Sequence, residues 1–142
     1  MKSTILLAAC LFAAGCSLPG DWSHAGLDYD IETGTFSGMP ETTLAQTPTS
    51  GAATFTGEYR SLSRANPFGK GDATLQVDFD TSNVQLDLAG TVTGSATGTL
   101  YGPIFFGSGA FNFSGRFYGD TASVAAGNFD TADTTGQFIT QR

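Results

Sequence analysis

The sequence predicts an all-β protein, an eight-stranded antiparallel up-and-down β-barrel of the soluble type with an apolar interior. The composition favours strands, because the chain has 19 Gly and 12 Phe and only 13% charged residues, which suits a pleated sheet better than a helix. Apolar and polar residues alternate with a period of two over long stretches, as a sheet with one dry face requires. A β-sandwich is the alternative architecture, since alternation does not distinguish a closed sheet from two packed ones.

The alternation is clearest in residues 72–79 and 83–96. In the first stretch Ala73, Leu75 and Val77 alternate with polar neighbours, and in the second Val84 and Leu86 do so. The short polar segment 80–82 between them predicts a hairpin. Short connections of this kind force neighbouring strands to run antiparallel. The predicted strands are 28–36, 52–60, 71–80, 83–93, 97–106, 109–118, 122–130 and 135–141.

A transmembrane barrel would show the same alternation with its apolar face outside. Three features favour the soluble type. The chain has an acylation signal, it ends in Arg142 rather than an aromatic residue, and its polar faces carry Asp72, Asp78 and Asp87, which are costly against lipid.

The first residues are typical of a bacterial lipoprotein signal. Lys2 provides a basic start, residues 4–14 are mostly apolar, and small residues precede Cys16. This pattern predicts cleavage before Cys16 and acylation of Cys16. Cys10 also follows small residues, but cleavage there would leave too short an apolar segment. The alternatives are a transmembrane helix, for which the apolar run is shorter than the ~20 residues needed, and ordinary secretion with a free Cys16 thiol.

Four segments follow from this organisation: a signal peptide over 1–15, a lipidated tether over 16–27, a first strand with an irregular Thr- and Pro-rich segment over 28–50, and the barrel over 51–142. The chain has two cysteines, and cleavage removes Cys10, so no disulfide can form in the mature chain. Ser17 follows Cys16, where an Asp would retain a lipoprotein at the inner membrane. We therefore expect anchoring to the outer membrane, at the cell surface or its periplasmic face.

The composition excludes several classes of function. A net charge of −7 and a pI near 4.2 argue against nucleic-acid binding. One His and two Cys offer little for catalysis, and we predict no catalytic residue, metal or cofactor. His24 beside Trp22 is a weak indication of haem binding. The acidic residues 28, 30 and 32 lack the spacing of a calcium loop and are interpreted as a solvated strand face.

The C-terminal third carries a family pattern. Residues 115–129 contain G-x-F-Y-G-x-x-A-x-x-x-x-G-x-F, and a final Gly136-x-Phe138 strand ends in Arg. Upstream, residues 51–57 and the A-x-L-x-V-D-F stretch at 73–79 follow in the family's order. Together they resemble the β-barrel domain of transferrin-binding protein B, which related surface lipoproteins such as factor H binding protein and haemophore-like proteins share. The resemblance implies a lipid-anchored, non-enzymatic binding module. Because this chain has a single barrel, the resemblance does not imply transferrin binding.

Two segments are candidates for contact with a protein partner. The first surrounds the predicted loop 61–70 and contains the basic residues Arg60, Arg64 and Lys70 with the aromatic Phe68; exposed Arg beside Phe is typical of interface hot spots. The second, residues 101–107, is the most apolar part of the mature chain and is either an exposed patch or core and turn. The function predicted from these observations is a binding module, for example in the acquisition of a host protein, iron or haem. The alternatives are a structural envelope lipoprotein without a specific ligand and a lysozyme-type enzyme inhibitor.

Overall fold

The computed structural model describes residues 21–142; the predicted signal peptide and Cys16 lie outside the described residues. Eleven strands and one short 3-10 helix make up this part of the chain. The N-terminal strands are β1 (Trp22–His24), β2 (Leu27–Asp30) and β3 (Thr35–Ser37), followed by the 3-10 turn η1 (Leu44–Gln46). The remaining strands are β4 (Ala52–Ser63), β5 (Gly69–Asp78), β6 (Asn83–Gly90), β7 (Gly94–Tyr101), β8 (Ile104–Gly109), β9 (Asn112–Tyr118), β10 (Val124–Asp130) and β11 (Thr134–Gln141).

Strands β4 to β11 form a closed antiparallel barrel of eight strands, and β11 pairs with β4 to complete it. This confirms the predicted fold class and settles the choice between barrel and sandwich. One end of the barrel, the upper end, carries the connections 64–68, 91–93, 110–111 and 131–133. The lower end carries 79–82, 102–103 and 119–123. No helix within residues 21–142 has the length and apolar character needed to cross a membrane.

The interior of the barrel is filled by apolar side chains, as the alternation predicted. Phe105 lies near its centre, with ring centroids 5.3 Å from Phe117, 6.2 Å from Phe138 and 6.3 Å from Phe113. The inward-facing aromatic residues are all buried: Phe55, Tyr59, Phe105, Phe111, Phe113, Phe117, Phe129 and Phe138.

Glycines face the largest rings from neighbouring strands. Gly115 pairs in register with Phe105, and a Cβ at Gly115 would lie 2.7 Å from the Phe105 ring. Gly136 pairs with Phe129 in the same way, where a Cβ would lie 2.2 Å from the ring. Glycine at these positions therefore leaves room for the rings of adjacent strands.

Two predicted strands are each divided into two. The predicted strand 97–106 is β7 and β8, joined by a two-residue turn at Gly102 and Pro103, where Gly102 has a left-handed φ of 56°. Proline is usually found at an edge strand or a bulge of a sheet; a hairpin turn accommodates Pro103 because no ladder hydrogen bond is needed there. The predicted strand 28–36 is β2 and β3, and neither belongs to the barrel. The count of eight barrel strands is therefore right, although 28–36 is not one of them.

The three-stranded N-terminal sheet packs on the outer wall of the barrel, and its first strand lies within the segment predicted as a tether. Leu27, Phe36 and Met39 contact the outward-facing Val124 and Ile139. The outward-facing Ala126 and Tyr118 join the same cluster. Strand β10 is consequently buried on both faces, which explains its nearly continuous apolar sequence.

Residues 40–51 cross the lower end of the barrel. Thr42 is fixed to β9 and the turn after it, because its N–H donates to the Phe117 carbonyl (3.0 Å) and its hydroxyl to the Gly119 carbonyl (2.6 Å). At the other side the Gly51 carbonyl accepts from the Phe79 N–H at 2.8 Å. The segment was predicted to be irregular, and apart from η1 it is. It covers the lower end, so the loops of the upper end remain available for contacts.

Candidate partner-binding surface

The loop between β4 and β5 projects from the upper end and is ordered by its own hydrogen bonds. The Ser63 N–H donates to the Asn66 carbonyl at 3.0 Å, and the Asn66 N–H donates to the Ser63 hydroxyl at 2.9 Å. The Asn66 side-chain oxygen then accepts from the Phe68 N–H at 3.1 Å. These bonds hold the loop while the Phe68 side chain stays 69% exposed. Phe68 is therefore not part of the core, and its ring is accessible to a partner protein.

The four predicted contact residues divide into two groups. Arg64 and Phe68 are exposed at the loop. Arg60 and Lys70 are opposite one another in the register of β4 and β5 and lie below the loop on the outer wall. Leu62, also on the outer wall, is 44% exposed beside this group. Sequence reasoning missed Leu62 because the predicted strand ended at residue 60, whereas β4 continues to Ser63 and carries Leu62 on its outer side.

Arg60 is engaged within the chain. Its guanidinium carbon lies 5.5 Å from the centre of the Trp22 ring, and its Nη2 lies 3.6 Å from Oε1 of Glu58. His24 contacts the same carboxylate, with Nδ1 3.8 Å from Oε1 of Glu58. Arg60 therefore fastens the N-terminal sheet to the barrel. Of the four predicted contact residues, Arg60 is half-buried, whereas Arg64, Phe68 and Lys70 are exposed and accessible to a partner protein.

The pair Trp22 and His24, considered for haem, lies in β1 against the barrel rather than on a flexible tether. The centroids of the two rings are 6.5 Å apart, and the ring planes are inclined by 30°. The acidic residues 28 and 30 lie in β2, and Oδ1 of Asp30 accepts from the N–H groups of Glu32 and Thr33 at 2.8 and 3.1 Å. That carboxylate closes the turn between β2 and β3, in keeping with a solvated strand end. Within residues 21–142 no group of three His, Cys, Asp or Glu side chains is placed to hold a metal.

A second exposed surface lies on the outer wall of β7 and β8. The predicted apolar segment 101–107 is part core and part patch: Phe105 is fully buried, whereas Tyr101, Ile104 and Phe106 are 66%, 41% and 50% exposed. Both alternatives of the sequence analysis thus hold for different residues of one segment, because alternate residues of a strand face opposite sides.

Titratable groups inside and at the ends of the barrel serve the fold. The Tyr59 hydroxyl donates to the Val92 carbonyl at 2.9 Å and accepts from the Val92 N–H at 2.6 Å, which fixes the loop 91–93 over the upper end. Burial raises the pKa of Tyr59 above its usual value of 10. At the lower end, hydrogen bonds from Thr81 and Asp80 lower the pKa of the Asp78 carboxyl. These groups stabilise turns and need no ligand.

No protein-family model matches the chain, and no curated protein matches it. Solved structures do match. A surface lipoprotein is similar over 75% of this chain and 66% of its own, with 15% identity and a TM-score of 0.58. The isotype 1 transferrin binding protein B of serogroup B Neisseria meningitidis is similar over 86% of this chain and 34% of its own, with 16% identity and a TM-score of 0.61.

The N-lobe domain of lactoferrin binding protein B of Moraxella bovis is similar over 75% of this chain and 62% of its own, with 14% identity and a TM-score of 0.55. The chain thus spans between about a third and two thirds of these three structures. At such identities the likeness shows the fold alone, and it agrees with the resemblance noted for residues 51–142: the chain contains a barrel that is similar in fold to the barrel of transferrin binding protein B.

Proposed function

We propose that the protein is a non-enzymatic binding lipoprotein, anchored to the outer membrane through Cys16, which contacts a protein partner through the β4–β5 loop. The observation that carries the proposal is the exposure of Phe68 on an ordered loop beside Arg64 and Lys70. Because hydrogen bonds already order the backbone of the loop that carries Phe68, binding costs little further conformational entropy of the loop. Aromatic and Arg side chains are also the residues that dominate interface energies.

The charge distribution supports a specific contact at this place. The chain has 13 acidic and six basic residues, yet Arg64 lies in this loop and Lys70 lies at the start of the strand that follows it, and both are exposed. A basic group on an acidic protein favours a partner with an acidic rim around an apolar recess. The neighbouring proteins named for transferrin and lactoferrin binding support a protein as the partner.

The arrangement of the core supports a binding module rather than an enzyme. The barrel interior holds phenylalanine rings, and the Asp and Glu side chains are distributed over the outer wall and turns. Catalysis by acid and base groups needs them in a shared cleft. The proposal therefore assigns the function to surface contacts.

The loop is tested against an exposed apolar position elsewhere on the barrel. Wild type, the double variant Arg64→Ala/Phe68→Ala and the variant Leu44→Ala are incubated with host serum, and captured proteins are identified. Leu44 is the matched control because it is 74% exposed, against 69% for Phe68, and lies in η1 at the lower end of the barrel. We expect the double variant to lose a protein that wild type and Leu44→Ala retain. Equal recovery of every protein by all three would contradict the assignment to the loop.

Anchoring is tested by incorporation of radiolabelled palmitate into the full chain in bacterial cells. We expect Cys16→Ala to abolish labelling and Cys10→Ala to leave it intact. Labelling that survives Cys16→Ala would show that the lipid is attached elsewhere. Protease treatment of intact cells then distinguishes the cell surface from the periplasmic face.

A further inference from the structure

The outer wall of β7 and β8 carries a continuous apolar surface, the β7–β8 face, made by Tyr101, Ile104 and Phe106. The rings of Tyr101 and Phe106 are near parallel, with an angle of 7° and centroids 5.7 Å apart. Tyr101 and Ile104 are register partners across the hairpin. From the exposed fractions and about 200 Å² for an aromatic side chain, the three expose on the order of 300 Å². That lies at the lower end of the range of about 300–600 Å² for the largest apolar patch of a monomer, and such patches are often functional.

The same face carries no charge. Residues 88–115 contain no Asp, Glu, Lys or Arg, although the chain as a whole has a net charge of −7. The register partner of Ile104 on β9 is Arg116, and Arg116 forms an ion pair with Glu41. The closest charges at this edge therefore neutralise each other. Depletion of charge together with enrichment of aromatic residues distinguishes the centre of a protein interface from the rest of a surface.

We propose that the β7–β8 face pairs with the same face of a second copy of the chain, in a two-fold symmetric dimer. In such a contact each residue meets the same surface of its partner, so any net charge on the face would oppose itself. Because the chain is strongly acidic, a surface without net charge favours self-association. The apolar residues of this face carry none, and the Asp87 carboxylate at its β6 edge is hydrogen-bonded to the Ser95 hydroxyl. A contact with a different protein would not require an uncharged face, since charges on this face could then pair with opposite charges on the other protein.

The size of the face predicts a weak dimer. A standard interface buries about 800 Å² on each partner, so an apolar centre on the order of 300 Å² needs a polar rim around it. Exposed Thr97, Thr99 and Ser108 provide that rim on the same two strands. Tethering two copies to one membrane raises their effective concentration and makes a weak contact effective.

The position of the N-terminus favours a second copy over lipid as the occupant. Trp22 of β1 lies against Arg60 of β4, and β4 is four strands from β8 in either direction around the barrel. If the proposed anchor at Cys16 is correct, four residues lie between it and Asp21, and these five residue steps reach at most about 18 Å. The anchor then lies on the side of the barrel opposite the β7–β8 face. A two-fold axis parallel to the barrel axes places both N-termini at the outer flanks of the dimer and at the same end of the two barrels.

Disulfide trapping in cells expressing the full chain tests the dimer. Thr99→Cys places a thiol in the polar rim of the face, directly beside Phe106, its register partner. Thr56→Cys is the matched control, since Thr56 is an exposed strand residue of β4, on the other side of the barrel. We expect Thr99→Cys to give at least about fivefold more disulfide-linked dimer than Thr56→Cys, because only the former sits in a lasting contact.

Further variants link the trapped dimer to the apolar residues. Adding Phe106→Ser or, independently, Tyr101→Ser to Thr99→Cys is expected to remove the excess, whereas Phe68→Ser leaves it unchanged. Equal trapping by Thr99→Cys and Thr56→Cys overturns the proposal, as does an excess that survives both serine variants. A Thr99→Cys adduct heavier than a dimer would mean that another protein covers the face, which also overturns it. The partner loop of the proposed function is tested separately, so the two can fail independently.

Discussion

The substitution Phe117→Ala tests whether the inward-facing rings carry the stability of the barrel. Phe117 is fully buried, and its ring lies 5.3 Å from Phe105, 5.5 Å from Phe55 and 5.9 Å from Phe79. Removing a buried Phe costs about 3–5 kcal/mol. We expect the upper half of that range, because β9 is hydrogen-bonded to strands on both sides and its backbone cannot move into the cavity.

The assay is unfolding in urea followed by far-UV circular dichroism. A loss of about 4 kcal/mol with a slope of roughly 2 kcal/mol per molar lowers the midpoint by roughly 2 M. Against a total stability of about 5–15 kcal/mol, the variant is folded but much weakened. The matched control is Phe68→Ala, the same chemical change at an exposed site, which should alter stability by at most about 0.5 kcal/mol.

The reasoning fails if both substitutions have the same effect, or if Phe117→Ala costs less than about 1 kcal/mol. Either result would mean that apolar residues do not point into the barrel. Fluorescence of Trp22, the single Trp, gives a second transition. Because Trp22 lies between the N-terminal sheet and the barrel wall, coincident transitions show that both unfold together.

Three further predictions concern individual contacts. Gly115→Ala should destabilise the chain by about 1–3 kcal/mol, since the new methyl group would overlap the Phe105 ring; the urea midpoint measures this. Tyr59→Phe should cost about 1–3 kcal/mol by leaving backbone groups unpaired. Because burial raises the pKa of Tyr59 in the folded chain, wild-type stability is complete below pH 10 and falls as the pH rises beyond it; the pH dependence of the midpoint should be smaller in Tyr59→Phe. Arg60→Ala should shift the emission of Trp22 to longer wavelength, whereas Arg64→Ala should not; no shift in either would refute the contact.

The sequence is sufficient to predict the barrel because alternation and turn chemistry both act over short distances. The stretch from Ala73 to Leu88 illustrates this, since its apolar residues face inward and its predicted hairpin at 80–82 is present. The turn at Gly102 was missed although Gly-Pro is a common turn signal, because the apolar residues on both sides of it were interpreted as one strand.

The location of the N-terminal segment could not be predicted in the same way. Residues 22–37 are short and weakly periodic, and their docking depends on an apolar surface formed by Tyr118, Val124 and Ile139, which are distant in sequence. A signal did exist in β10, where Val124 to Gly127 are consecutively small or apolar. A strand with one solvent-exposed face would alternate apolar and polar residues there, so this run indicates that another segment covers the outer face of β10.

The partner-loop residues illustrate a further limit. The sequence presents three basic residues in or beside the predicted loop: Arg60, Arg64 and Lys70. In the structure the N-terminal sheet covers the part of the outer wall where Arg60 lies. Arg60 meets Trp22 only because β1 packs there, and no local pattern encodes that contact.

The two faces of the barrel wall therefore have different consequences for association. The wall of β10 and β11 is apolar and is covered within the chain by Leu27 and its neighbours. The wall of β7 and β8 is also apolar, and Tyr101 and Phe106 remain exposed. Burying apolar surface is favourable in both cases, and the chain's own N-terminal segment satisfies only the first. An uncharged aromatic face left open on an acidic protein is most simply explained by a partner that carries the same face.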